Sequence, residues 1–161
     1  MDPRAGIRID LAAQSLELID ASGVSGRYSV STSRYGGGER RGSLRTPRGR
    51  HEVRAKIGAG CAPGTVFVGR RATGEIWSES LARAHPERDW ILTRILWLSG
   101  LERGVNRLGD VDTMRRYIYI HGMPDTEPCG EPASIGCIRM RNDDIVELFD
   151  RVEVGTIVDI E

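Results

Sequence analysis

A thiol carries an acyl group only when a base or cation handles its proton and backbone donors face the developing oxyanion. The run Ser134-Ile135-Gly136-Cys137-Ile138-Arg139-Met140 supplies the thiol and such donors. Gly136 permits close approach of a substrate to the backbone, and the N–H groups around Cys137 fall in a turn ahead of a helix near Asn142. His121, at the end of an alternating apolar run and followed by Gly122, is the candidate base. A loop of the length between the two can bring the imidazole back over the thiol. On spacing alone, a Cys–His reading competes with a plainer one: Cys137 as a buried small hydrophobe, and His121 bonded to a backbone carbonyl. A working nucleophile of this kind is expected to titrate below an ordinary thiol.

Other chemistries fit less well. His121, Cys129 and Cys137 are evenly spaced, and Cys61, His51 or His85 would complete a four-ligand set, but no close Cys-x2-Cys pair of the zinc type exists. No cofactor or metal is expected. Gly37 to Ser43 has the glycine spacing of a phosphate-binding loop without its lysine, and without a strand-to-helix context. The cluster Arg40, Arg41, Arg45, Arg48 and Arg50 has no interleaved aromatics and sits in a chain of zero formal net charge, so no nucleic-acid partner is expected. Cys61, Cys129 and Cys137 are odd in number, which argues against a disulfide framework. Cys61 and Cys129 read as inert, and Trp90, Trp97, Tyr117 and Tyr119 as packing residues, the two tyrosines on one strand face.

The elements that must position Cys137 and His121 are mostly strands. Ile7, Ile9 and Leu11 alternate with polar residues, Leu16 to Ile19 repeat the pattern, and Asp20-Ala21-Ser22-Gly23 turns the chain into a third strand over 27–32. A Gly- and Arg-rich loop spans 36–49. Short strands are predicted over 53–57 and 66–68, a helical turn over 79–84, and a buried strand over 89–98. Arg116 to Ile120 alternates and leads into His121. A helix is predicted from Asn142, capped by that residue, with Asp143 and Asp144 in its first turn and Ile145, Leu148, Phe149 and Val152 on one face. Gly155 ends it, and 156–160 closes the chain as a strand. With 161 residues, 39% apolar and 20 glycines, one β-rich domain over 1–161 is expected, with a helix on one side.

No apolar run is long enough for a membrane span. The first residues show no basic segment, apolar run and cleavage site, so the chain is expected to be cytoplasmic or to be given its export signal outside this sequence. Nothing in the residues sets an oligomeric state.

The two functional segments together resemble a known signature. His121-Gly122-Met123-Pro124-Asp125 followed by Ser134-x-Gly136-Cys137-x-Arg139-Met140 is similar to the catalytic signature of the L,D-transpeptidase (YkuD-like) family. Thr46-Pro47-Arg48-Gly49 resembles the family's Thr-Pro-x-Gly element, and Gly155-Thr156-Ile157-Val158 its terminal strand, so the likeness covers most of the chain. The resemblance implies a mixed β-sandwich and a thioester mechanism on peptidoglycan stem tetrapeptides. The cysteine attacks the carbonyl of the third residue and expels D-alanine. An amine of a second stem, an envelope-protein lysine or water then resolves the thioester. It further implies Cys137 as nucleophile and His121 as base. Ser134 would order the loop, Gly136 and Cys137 would supply oxyanion-binding N–H groups, and Arg139 would steady the loop or a substrate carboxylate. Carbapenem acylation and a location in the cell envelope or periplasm also follow from the family.

Two residues depart from the common pattern: Ile135 stands where many members have histidine, and Met123 where many have threonine. An apolar residue at 135 cannot donate a hydrogen bond, so altered substrate handling with retained chemistry is expected. The alternatives are an L,D-carboxypeptidase, a peptidoglycan-binding domain without turnover, and a metal-binding module.

Overall fold

The computed structural model describes residues 5–161. The chain opens as a meander, β1 (Gly6–Asp10), β2 (Ser15–Asp20) and β3 (Gly23–Ser31). The turn between β2 and β3 is held by the Asp20 carboxylate, which accepts from both the N–H and the hydroxyl of Ser22. After the glycine-rich loop come β4 (Gly49–Ile57) and a hairpin of β5 (Thr65–Val68) and β6 (Arg71–Ile76). The short helix α1 (Glu79–Ala84) is capped by Ser78, and the long strand β7 (Ile91–Gly100) follows. The chain ends with β8 (Tyr119–Gly122), β9 (Ile138–Met140), the helix α2 (Asn142–Arg151) and β10 (Ile157–Ile160).

The ten strands of the described residues belong to one sheet, in the order β4-β10-β1-β2-β3-β9-β8-β7-β5-β6. Because β4 also pairs with β7, the sheet folds over and closes on itself, leaving the β5–β6 hairpin as an extension of β7. Closure leaves few free edges and encloses one main core. Ile9, Leu16, Val30, Leu96, Leu98, Ile120, Ile138 and Met140 are fully buried there. The helix α2 adds Ile145, Leu148 and Phe149 from one face, packing on β7 and β8. The mainly β, mixed-sandwich expectation is met: 42% of the residues are strand and 12% helix.

The structure corrects several local expectations. Residues 113–117 are a turn and not the start of a strand, held by Arg116 N–H on the Asp112 carbonyl and Tyr117 N–H on the Met114 carbonyl. Tyr117 sits at φ +56, so it leaves the strand face that sequence alternation assigned it with Tyr119. The strand β6 was not expected: four of its six residues in a row are exposed and carry no alternation. Asn142 is not a helix cap. Its buried side chain donates to the Met123 carbonyl (2.8 Å) and the Asp125 carboxylate (3.1 Å) and accepts from the Thr93 hydroxyl (2.5 Å). It thereby ties the start of α2 to the segment just after β8.

Candidate active site

Ile120 and Ile138 are fully buried in the core, so their neighbours on β8 and β9 point to the other face. On β8 these are Tyr119 and His121; on the β9 side, Cys137 and Arg139. The two strands are parallel, with Ile120 opposite Ile138 and His121 opposite Arg139. Cys137 therefore lies one strand over from His121 and two residues back on the same face. Strand spacing and rise put their Cα atoms roughly 8 Å apart, a diagonal that side chains turned toward each other can span.

Each partner is fixed by its own contacts. His121 is fully buried, and its Nδ1 donates to the Gly122 carbonyl at 2.6 Å. A carbonyl only accepts, so Nδ1 carries the proton and Nε2 keeps its lone pair. Nε2 is buried and has no hydrogen-bond partner among the described residues. Gly122 is required here, since a Cβ would stand 2.7 Å from the Leu92 carbonyl and 3.0 Å from the Thr93 hydroxyl. The Cys137 sulfur accepts from the Tyr119 N–H (3.4 Å) and donates to the Tyr117 carbonyl (3.5 Å). The left-handed turn at Tyr117 is what brings that carbonyl to the thiol.

Burial drives the two titrations apart. Loss of water pushes the Cys137 thiol up to about 12, against which the Tyr119 N–H and the Arg139 and Arg116 cations act only in part. Burial also lowers His121 to about 4, opposed by the Asp89 carboxylate and the carbonyl of Gly122. The resting pair is thus a neutral thiol and a neutral imidazole. The expectation of a thiol with a lowered pKa is overturned by desolvation, which outweighs the nearby cations.

The loop around Cys137 is held from several sides. Ser134, 1% exposed, donates from Oγ to the Cys137 carbonyl (2.6 Å) and accepts the Gly136 N–H (3.2 Å). That contact engages the Gly136 N–H, which sequence reading had offered to the oxyanion. Gly136 itself has φ +135, and a Cβ there would press on Ile118 at 3.2 Å, so only glycine fits. Thr46, fully buried, donates to the Gly136 carbonyl (2.9 Å) and accepts the Ser33 N–H (3.0 Å). Thr32 receives the N–H groups of Ala133 and Ser134, and Arg34 donates its N–H to the Ser134 carbonyl. Arg116 braces the glycine-rich loop through the carbonyls of Gly38, Glu39 and Arg45.

Arg139 is brought to the site but is not free. Its guanidinium pairs with Asp89 at 2.8 Å. Both line an open groove of about 640 Å³ beside the Cys137 loop, together with Arg34, Arg88, Glu87, Glu127 and Ile135. Ile135 is exposed to this groove, whereas Met123 is fully buried. Asp89 and Arg116 escaped the sequence reading. Asp89 comes from a segment far from either motif, and Arg116, five residues before His121, carries no local mark of its contacts with the glycine-rich loop. Thr46 stood in a recognised element, but its bond to Gly136 is visible only in three dimensions.

The remaining candidates have structural explanations. His51 is fully buried between the Gly49 carbonyl and the Thr113 hydroxyl, both at 2.9 Å, and burial lowers it to about 4. Among the described residues no group of three His, Cys, Asp or Glu side chains is placed to hold a metal ion. Cys61, Cys129 and Cys137 are all free thiols.

Fold and site together define a β-rich domain that presents a thiol and an unpartnered imidazole nitrogen from adjacent parallel strands. The sequence pattern of the L,D-transpeptidase catalytic domain (YkuD) matches residues 4–160. The chain belongs to that family. A probable L,D-transpeptidase ErfK/SrfK of Salmonella typhimurium is 53% identical over 45 residues, which is 28% of this chain and 15% of that protein. L,D-transpeptidase 3 of Mycobacterium tuberculosis, solved with a faropenem-derived adduct, superposes with a TM-score of 0.60 at 15% identity. That match covers 98% of this chain and 60% of the solved one. The L,D-transpeptidase LdtMt1 in complex with imipenem gives 0.58 at 17% identity, over 98% and 58%. The chain thus spans less than two thirds of these relatives. No helix of the described residues is long and apolar enough to cross a membrane.

Proposed function

We propose that this chain is a cysteine-dependent L,D-transpeptidase acting on peptidoglycan stem tetrapeptides in the cell envelope. The observation that carries the reading is the register of β8 and β9, which sets Cys137 and the free Nε2 of His121 on one face.

Because the resting pair is neutral, the thiolate forms only as the substrate arrives. Nε2 of His121 takes the Sγ proton while Sγ attacks the carbonyl of the third stem residue. The Cys137 N–H serves the oxyanion, since the Gly136 N–H is occupied by Ser134. The tetrahedral intermediate collapses with loss of the carbon–nitrogen bond. His121 returns its proton to the leaving amine of D-alanine, and a thioester on Cys137 remains. An acceptor amine then attacks the thioester and passes a proton to His121. The carbon–sulfur bond breaks, the thiol is restored, and a 3→3 cross-link forms, or a protein lysine is attached. Ser134, Thr46 and Arg116 are positioning residues in this scheme. Arg139 and Asp89 shape the groove as a pair. A carbapenem would acylate the same sulfur by opening its lactam ring.

The test is to incubate the protein and its Cys137→Ala variant with disaccharide-tetrapeptide and to follow products by mass spectrometry. D-Alanine release with cross-linked dimers, abolished in the variant, is the expected result. Release without dimers makes water the acceptor and the protein an L,D-carboxypeptidase. An untouched substrate and no carbapenem adduct would reject Cys137 as a nucleophile.

A further inference from the structure

On the flank of Cys137 away from the mixed-charge groove, the thiol packs against a cluster of Phe67, Ile95 and Tyr119 that also includes Trp97. The Trp97 ring meets Tyr119 edge-on (6.1 Å between centroids, 86°) and Tyr117 at a tilt (6.3 Å, 43°). Two guanidinium groups lie on these rings. Arg70 stands 4.6 Å from the Trp97 centroid and 4.9 Å from that of Tyr117, and Arg54 stands 5.6 Å from Trp97. Arg70 also donates to the Tyr119 hydroxyl at 3.0 Å. A single tyrosine therefore links the platform to the nucleophile, its N–H on Sγ and its hydroxyl on Arg70.

Two features bear on what these arginines do. The first is that neither forms an ion pair among the described residues, whereas Arg139 is paired with Asp89 and Arg88 with Glu75. Arg70 uses one N–H on Tyr119, and a guanidinium has five. The second is the backbone at Arg70. Val68 pairs with Arg71, so Gly69 and Arg70 form a two-residue hairpin loop, with φ +56 and +65. A loop with both angles positive favours glycine or asparagine at its second position. Arginine is a poor choice for the turn, so its selection is better explained by what its side chain reaches.

We propose that Arg70 and Arg54, stacked on Trp97, bind a carboxylate of the acyl-donor peptide. The groove on the opposite flank sets Glu87, Asp89 and Glu127 against Arg34, Arg88 and Arg139, and the last two arginines are already ion-paired, so it offers an anion no net attraction. The platform is one tyrosine side chain from Sγ, about the reach of two extended residues, so a carboxylate near the reacting carbonyl arrives there. Both guanidinium groups already sit against the Trp97 ring before the ligand comes, which lowers the ordering cost of binding. The inference rests on the reading of Cys137 as an acyl-transfer nucleophile for stem peptides.

The test compares the tetrapeptide with charged carboxylates and the same peptide with its side carboxylates amidated, measuring both D-alanine release and binding to a Cys137→Ala protein. With Arg70→Gln, KM for the charged peptide is expected to rise about tenfold, with kcat within twofold. The amidated peptide should change less than twofold, and Arg54→Gln should repeat the pattern without touching the hairpin turn. Equal losses with both peptides, or no change in either variant, would overturn the platform while leaving the transpeptidase reading intact. Arg70-dependent binding to the Cys137→Ala protein without any turnover by the parent protein would support the platform and defeat that reading.

Discussion

Thr46→Val removes one hydroxyl and keeps the shape of the side chain, and it strikes the point where three loops meet. Its Oγ1 donates to the Gly136 carbonyl and accepts the Ser33 N–H, and Thr46, Ser33 and Gly136 are all buried. Valine satisfies neither. Each buried backbone group left without a partner costs about 1–3 kcal/mol, so two give roughly 2–5 kcal/mol. For a domain of this size that corresponds to a fall in Tm of about 5–15 °C. Thr46→Ser retains both bonds and loses only a methyl, so its cost should be nearer 1 kcal/mol. The assay is urea denaturation of all three proteins, read with D-alanine release. The midpoint should fall in the valine variant with an unchanged slope, and kcat should fall at least tenfold at temperatures where it is folded, because the Cys137 loop loses a fixed point. A valine variant as stable and as active as the parent would refute the idea that this hydroxyl holds the loop.

Three further outcomes follow from the same contacts. Gly136→Ala places a Cβ against Ile118 at φ +135, and should lower D-alanine release by an order of magnitude or more, as measured by kcat/KM. In a Cys61→Ser, Cys129→Ser background, the iodoacetamide rate at Cys137 should be slower near pH 7.5 than that of an ordinary thiol. It should still be rising above pH 9, because burial raises this thiol from 9.0 to about 12; a plateau below pH 8 would contradict the neutral resting pair. His51 and His121 each fall from 6.5 to about 4 in the fold. Unfolding then takes up protons, so stability present above pH 6.5 is lost as the pH drops toward 4, by about 3 kcal/mol per histidine at the limit. Urea midpoints across that range check it.

The placement of the proposed nucleophile and base on one face was legible because each sits in a short contiguous run whose apolar alternation names the strand and face. Ile120 and Ile138 face the core, which leaves His121 and Cys137 on the other side. The same logic failed at Tyr117, where an alternating pattern continues through a left-handed turn that no residue type announces. It failed at β6 because an exposed hairpin arm has no face to bury. Asn142 has the composition of a cap but is recruited by Met123, Asp125 and Thr93, contacts made only when β7, β8 and α2 meet. Asp89 and Arg70 reach the site from remote segments, and the partners of Arg116 lie in the distant glycine-rich loop, so these contacts are set by the folding of the sheet. The lowered thiol pKa was expected from the role given to Cys137, whereas burial raises it, and burial is not written in the local sequence.

The most direct test of the central claim is intact-protein mass spectrometry within seconds of mixing with tetrapeptide. The protein should gain the mass of the stem peptide less D-alanine. That adduct should be absent from Cys137→Ala and should form at least a hundredfold more slowly in His121→Asn. An adduct that persists in Cys137→Ala, or D-alanine release at the parent rate in His121→Asn, would contradict the account.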